Sequence, residues 1–303
     1  MKFTRDTQRG DWLRHRVGDW AHVGGVAGTG FEAYARILHP ANAWRFGPEI
    51  DEWGSPRMTE DGRWGWARIA ERNGRVMHPL VQWRRLTDDE TSLSFSDGWE
   101  VSQGDEGRLD PRLLAALTAH LSAATTTPDE VTVGVWNGWG ELHDGGSSAY
   151  IAFGTDEAEA KRERARLEAE AKHERARLEA EARASVAPEV REAVRRGPWL
   201  EWPGREFLLF DTSLAELSDP GWMRGAGLGA TNDDDGVTPQ LLWPADQSWV
   251  VASEIDWDST IVGGSRGLVD AVLADPTFEA FEVDEHSDLS WEGDTVNPAG
   301  AEN

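Results

Sequence analysis

The chain has 303 residues and a mass of 33.5 kDa, with 55 acidic against 30 basic side chains and a net charge of -25. It contains no cysteine, which excludes disulfides, thiolate nucleophiles, iron–sulfur clusters and cysteine-based zinc sites. The negative balance repels phosphate backbones and anionic bilayers, so neither nucleic acid nor membrane is expected as a partner.

In chain order, residues 11–17 predict a short helix, followed by the glycine-rich HVGGVAGTG and a strand over 31–38 that runs into His39-Pro40. Residues 41–62, rich in Pro, Gly and acids, read as irregular. Trp66, Ile69 and Ala70 stand at helical spacing within 63–72, with Asn73-Gly74 as a stop. The next helix, over 111–124, has Asp110 as N-cap, Pro111 at its first position and a stripe of Leu113, Leu114, Leu117 and Leu121. Residues 131–136 alternate as a strand, Asn137-Gly138 predicts a hairpin turn ahead of Trp139, and 148–153 reads as a further strand.

Residues 161–171 and 172–182 read KRERARLEAEA and KHERARLEAEA, one 11-residue unit written twice. Eleven residues make almost three helical turns, so Leu167 and Leu178 fall on nearly one face, as do Ala171 and Ala182. Two leucines bury too little to hold a dimer, and the element, from about 156 to 185, reads as a charged, solvated insertion or strut. Beyond it a short helix stops at Gly197-Pro198, and a hairpin over 199–211 turns at Pro203-Gly204. A short helix lies at 214–217, a strand at 249–257, a helix at 268–274 and a closing strand at 278–283, before a polar tail expected to fray after Trp291. Strands and helices mix without a βαβ rhythm. The expected fold is therefore α+β, with mixed, mostly antiparallel sheet and packed helices, plus the long charged helix in mid-chain.

This organisation gives a tryptophan-rich part (1–155), the helical insertion (156–197) and an acidic part (198–303) expected to pack with the first as one unit. The 17 Trp are expected mainly in cores, with an aromatic groove as the sharper alternative. The last part carries 3 basic against 22 acidic side chains, a field that attracts a cation or a basic protein. No apolar run approaches the roughly 20 residues that span a bilayer, and the opening MKFTRDTQRGDW lacks a signal-peptide core. With cysteine absent, the expectation is a cytoplasmic protein.

Glu254, Asp256 and Asp258 occupy alternate positions of the predicted 249–257 strand and its end, which would place their carboxylates on one face. Such a face suits calcium, magnesium or an arginine-bearing partner, against the plainer reading of a solvated strand. Gly263-Gly264-Ser265-Arg266-Gly267 matches G-x-S-x-G ahead of a helix. Ser265 is thus a candidate nucleophile with His286, the one later histidine, or a histidine from the N-terminal part as base; a plain strand-to-helix turn is the alternative. The acids at 232–236 lack the EF-hand spacing, Gly225, Gly227 and Gly229 follow no strand, and no H-E-x-x-H or P-loop occurs. His39 and His78, each before proline, read as structural imidazoles.

GFEAYARILHPA (30–41), TTTPDEVTVGVWNGWGEL (125–142) and LLWPADQSWVVASEIDWDSTIVGGSRGLVDAVLADP (241–276) together resemble a group of hypothetical proteins of actinobacteria without an assigned activity. The resemblance covers both flanking parts and leaves out the 11-residue repeat, as expected of an insertion. It implies a bacterial cytosolic protein whose two parts belong together, and it carries over no site residue. Arginine supplies 27 of the 30 basic residues, the usage of a GC-rich genome. The expected function is a non-enzymatic acidic binding module, immunity- or inhibitor-like by electrostatic analogy, engaging a basic protein or a divalent cation through Glu254, Asp256 and Asp258. The alternatives are a serine hydrolase using Ser265 and a scaffold using the charged helix.

Overall fold

The computed structural model describes residues 1–50, 54–88, 90–143, 184–230 and 236–297, and the single positions 172, 177 and 180. The expected strand at 148–153, the acidic run at 231–235 and nearly all of the helical repeat lie outside the described residues. The elements in chain order are β1 (Lys2–Thr4), α1 (Asp11–Arg14), α2 (Val23–Ala27), β2 (Ala33–Leu38), β3 (Ala41–Ile50), β4 (Pro56–Trp64), α3 (Trp66–Arg72) and α4 (Trp83–Leu86). They continue with β5 (Ser92–Ser94), β6 (Trp99–Ser102), α5 (Pro111–Ala123), β7 (Val131–Trp136), α6 (Gly140–His143), α7 (Pro188–Arg196), β8 (Leu200–Trp202) and β9 (Arg205–Thr212). The last are α8 (Leu214–Leu217), β10 (Leu241–Pro244), β11 (Val250–Ser253), β12 (Ser259–Gly264), α9 (Arg266–Ala274) and β13 (Ala280–Val283).

The fold is α+β, with two antiparallel sheets and packed helices. The large sheet runs β1-β9-β7-β10-β11-β12-β2-β13, with β8 sharing an edge of β9 with β1. Strands from before residue 144 and after residue 183 interleave: β2 lies between β12 and β13, and β7 between β9 and β10. Side chains alternate across this sheet. Ala35, Val133, Phe210, Leu242, Val251 and Val262 enter one core with α5, α7, α8 and α9. Tyr34, Leu209, Trp243, Val250, Ala252 and Ile261 enter the opposite core, which α1 and α2 cover through Leu13, Val23 and Val26.

Because both faces are buried, the strands FLLF, LLW and VVA are continuous apolar runs. That is why β10 shows no polar alternation in the sequence. β12 is likewise hidden, in STIVGG, where a Cβ on Gly263 would stand 2.9 Å from the Phe31 ring and one on Gly264 2.8 Å from Leu268. The glycines make room for neighbouring side chains in a buried strand.

The smaller sheet, β4-β3-β6-β5, packs on α3 and α4 around Trp64, Trp66, Ile69, Trp83, Leu86 and Val101. The irregular segment expected at 41–62 is instead the hairpin β3–β4, and cross-strand pairing overrides its Pro and Gly content. Only positions 42–45 of β3 also pair with β6, so the far half of the hairpin is a two-stranded ribbon in solvent. Asn137-Gly138 forms no hairpin. β7 runs on into α6, and the Asn137 N–H still bonds Glu206 O of the neighbouring strand.

The expected fraying after Trp291 is not seen through Asn297, the last described residue. Asp294 and Asn297 are buried, Asn297 exchanges hydrogen bonds with both backbone groups of Val76, and Asp294 accepts from the Gln82 N–H. Polar satisfaction anchors a segment that hydrophobicity alone would leave loose.

The two sheets meet at an elbow, because β2 passes through His39-Pro40 directly into β3. His39 is buried there, its Nδ1 2.8 Å from Asp105 O and its Nε2 2.8 Å from Thr260 Oγ1. A nitrogen facing a carbonyl must carry the proton, so Nε2 accepts from Thr260, whose oxygen accepts in turn from Ser253 Oγ at 2.7 Å. Burial, with Arg36 and Arg63 nearby, lowers the His39 pKa from 6.5 to about 4, against the raising pull of Asp105. The unfolded chain therefore binds this proton first as pH falls. Stability is independent of this group above pH 6.5, declines as pH drops toward 4, and levels off below it, with about 3 kcal/mol at stake. Urea unfolding of wild type and His39→Gln across this window should show a steeper pH dependence in the wild type.

Candidate functional site

Residues 254–258 are not strand. β11 ends at Ser253 and β12 begins at Ser259, so Glu254, Asp256 and Asp258 sit in the hairpin loop between them and share no pleated face. The reason is that β11 and β12 pair from Val250↔Gly263 to Ser253↔Thr260, and the chain must reverse within the acidic stretch.

The three acids then part company. Glu254 and Asp256 both bind Arg205 on β9, at 2.7 and 2.6 Å from Nη2. Burial opposes the Arg205 charge, but the two carboxylates outweigh it and hold its pKa above the ordinary value. Asp258 turns inward and is 5 % exposed, with Oδ2 accepting from Gln103 Nε2 at 2.8 Å. Burial raises its pKa, while the charge of Arg36 pulls it down. Asp258 is thus part of the elbow's interior and is unavailable to a partner. Among the described residues no group of three or more His, Asp or Glu side chains could hold a metal ion, so this loop does not form the hard-cation site that strand alternation implied.

Sequence reasoning missed Arg36, on β2 and 1 % exposed. Its Nε donates to Ser259 Oγ, and Nη1 donates to Pro79 O and Val81 O at 3.0 and 2.9 Å. Burial lowers its pKa to about 10, against the pull of Asp258 and Asp294. An arginine inside the apolar run AYARIL was the available signal.

Beside the loop lies an open cleft of about 520 Å³ at the end of β7 and the β8–β9 hairpin. Trp136, Asn137, Glu201, Trp202, Arg205 and Glu206 line it. Arg205 thus belongs both to the cleft and to the acidic loop, and its guanidinium stands 5.6 Å from the Trp136 ring centroid. Glu201 and Glu206 are directly opposed in the β8–β9 register, and neither has an ion-pair partner among the described residues. Glu106 is adjacent to the acidic loop; burial first, then Asp258 and Asp256, raise its pKa. Trp136 packs edge-on against Trp139, whose Nε1 donates to Gln240 Oε1.

Ser265 is the N-cap of α9, with ordinary φ and ψ of -66° and 154° and Oγ accepting from the Leu268 N–H at 3.3 Å. The strained backbone of a nucleophile elbow is absent. His286 is exposed, with Nε2 3.6 Å from Glu285 Oε1. β12 and β13 flank opposite edges of β2, so the strand ends that lead to Ser265 and toward His286, Gly264 and Val283, stand about two strand spacings, ~10 Å, apart. No hydrogen bond joins Ser265 to His286. His78 bonds Asp294 at 2.7 Å, and His120 on α5 bonds Asp275 at 2.8 Å, pulling that carboxyl down to about 2. Both pairs tie structural segments together. Among the described residues no helix is long and apolar enough to cross a membrane.

Comparison with protein-family models, curated proteins and solved structures finds no match to this chain.

Two outcomes follow from this geometry. A Cβ on Gly138 would stand 2.1 Å from the Trp136 indole. Gly138→Ala should displace that ring, change the near-ultraviolet circular dichroism and cost about 1–3 kcal/mol in urea unfolding. Arg36→Met should cost about 3–5 kcal/mol, because it leaves Asp258 buried without its counter-charge, and the double variant Arg36→Met/Asp258→Leu should recover part of that loss.

Proposed function

We propose that this chain is a non-enzymatic binding protein that engages a basic protein segment through the face formed by the β8–β9 hairpin and the loop at 254–256. The observation that carries the reading is an excess of carboxylate over guanidinium in the cleft and the loop beside it: among the described residues Arg205 stands against Glu201 and Glu206 in the cleft, which His143 also lines, and against Glu254 and Asp256 in the loop. Because Arg205 already lies between Glu254 and Asp256, an incoming cation meets Glu201, Glu206 and the exposed side of Asp256 first. The Asp256 side chain is 69 % exposed against 23 % for Glu254. Electrostatic complementarity of this kind speeds encounter and selects among partners, as in inhibitor and immunity proteins.

This revises the residues expected from sequence. Asp258 leaves the list, Glu254 serves by holding Arg205, and Asp256 is the acid a partner reaches. A mixed lysine/arginine peptide should bind at about 50 mM salt and be released at about 500 mM. Asp256→Lys should weaken that binding on the order of tenfold while lowering the melting temperature only slightly, because Glu254 still pairs with Arg205. Binding indifferent to both salt and Asp256→Lys would overturn the reading.

A further inference from the structure

We infer that residues 290–297 form a latch, a segment that lifts off the loop 76–82 as a unit while both sheets stay folded, and whose seating locks the joint between them. Burial sets its limits. Leu289 is buried in the core on the α1–α2 face of the large sheet, and its N–H donates to Ala21 O at 2.8 Å. Beyond it the chain turns tightly over Gly293, whose N–H bonds Ser290 O and where a Cβ would stand 2.1 Å from Asp288 O. From 290 to 297 only Asp294 and Asn297 are buried, and both are polar. The apolar residues of the segment, Trp291 and Val296, are 60 % and 53 % exposed. Hydrogen bonds rather than apolar burial therefore hold the segment down, and attachments of that kind open at lower free energy than a packed strand.

The segment carries its own shape. Asp294 Oδ1 accepts from the N–H groups of Val296 and Asn297 at 3.1 and 2.9 Å, and Oδ2 accepts from Asn297 Nδ2 at 3.0 Å. These bonds move with the segment. Others cross to the loop 76–82. His78 Nε2 donates to Asp294 Oδ1 at 2.7 Å and the Gln82 N–H donates to Asp294 Oδ2 at 3.2 Å. The Val76 N–H donates to Asn297 Oδ1 at 2.9 Å, and Asn297 Nδ2 donates back to Val76 O at 3.0 Å. The His78 tautomer fits, since its Nδ1 accepts from the Leu80 N–H at 3.3 Å and leaves the proton on Nε2. The bond between Asn297 and Asp294 links the two points of attachment, so losing one weakens the other.

The loop under the latch is the one that holds Arg36. Pro79 O and Val81 O accept from its Nη1, and Asp294 together with Asp258 supplies the negative charge that faces the guanidinium. Lifting the latch thus strips the loop of its bonds to Asp294 and Asn297 and takes one of two counter-charges from the arginine at the seam. A surface segment and an interior joint are coupled through one carboxylate.

Hydrogen exchange of the full chain, followed by nuclear magnetic resonance, tests this with Asn297→Ala, whose side-chain bonds reach Val76 and Asp294 and leave Gln82 and Arg36 untouched. In wild type the Val76 and Gln82 amides should be at least about a hundredfold less protected than those of Val133 and Phe210 in the middle of the large sheet. In Asn297→Ala the Gln82 amide should exchange about tenfold faster, and the Arg36 Nε–H, which donates to Ser259 Oγ, should accelerate with it, while Val133, Phe210 and the melting temperature change little. An unchanged Gln82 amide would overturn the latch, because the two attachments would then act independently. Faster Gln82 with an unchanged Arg36 Nε–H would overturn its hold on the joint. Acceleration of Val133 and Phe210 by the same factor as Gln82, or wild-type protection of Gln82 equal to that of Val133, would show that the segment opens only with the whole fold, and would also sink the inference.

Discussion

The structure depends on a polar joint. β2 belongs to the large sheet and β3 to the small one, and the two residues between them, His39 and Pro40, make the corner. Around that corner Arg36, His39, Asp258, Ser259 and Thr260 are all buried. On the face of β2 that carries Tyr34, Arg36 and Leu38, Tyr34 enters the second core of the large sheet and Leu38 enters the core of the small sheet. Arg36 therefore sits at the seam between two hydrophobic bodies. A guanidinium there is tolerated because Ser259, Pro79 and Val81 accept its hydrogen bonds and Asp258 supplies the opposing charge. Such a junction is specific. The junction couples β2, β12 and the loop before α4 through the hydrogen bonds of one side chain.

The same joint explains the shape of the acidic face. Drawing Asp258 into the interior leaves Asp256 in solvent, while Arg205 draws Glu254 partly under cover. What reads in the sequence as three equivalent carboxylates becomes one structural acid, one positioning acid and one surface acid. The charge of the C-terminal part is thus shaped by interior hydrogen bonding as much as by composition. The β8–β9 hairpin adds Glu201 and Glu206, directly opposed in register, beside the half-buried Trp136 indole.

Much of the α-helical structure was legible. Asp110 accepts from the Arg112 N–H ahead of Pro111, and Leu114, Leu117 and Leu121 face the core, because capping and 3.6-residue periodicity are local properties. The hairpin turning at Pro203-Gly204 was legible for the same reason, its two arms lying next to each other in sequence. β10 and β12 were not, since a strand covered on both faces loses the alternation that would announce it. Nor was β3–β4, whose Pro and Gly residues suit a loop until a partner strand supplies their hydrogen bonds.

Composition settled the absence of thiol chemistry and the acidity of the C-terminal third, while residue patterning along the chain pointed to strands and helices mixed in an antiparallel α+β manner. It placed Ser265 at the turn into a helix, where the hydroxyl now serves as a cap. Tertiary structure alone decided which acids meet Arg205, which acid goes inside, and that Trp136 and the Glu201–Glu206 pair share a cleft. The physical reason is range. Capping, turns and net charge depend on neighbours within a few residues, whereas Arg205 lies 49 residues from Glu254 and Gln103 lies 155 from Asp258, and only the paired register of the sheet brings such groups within hydrogen-bond reach.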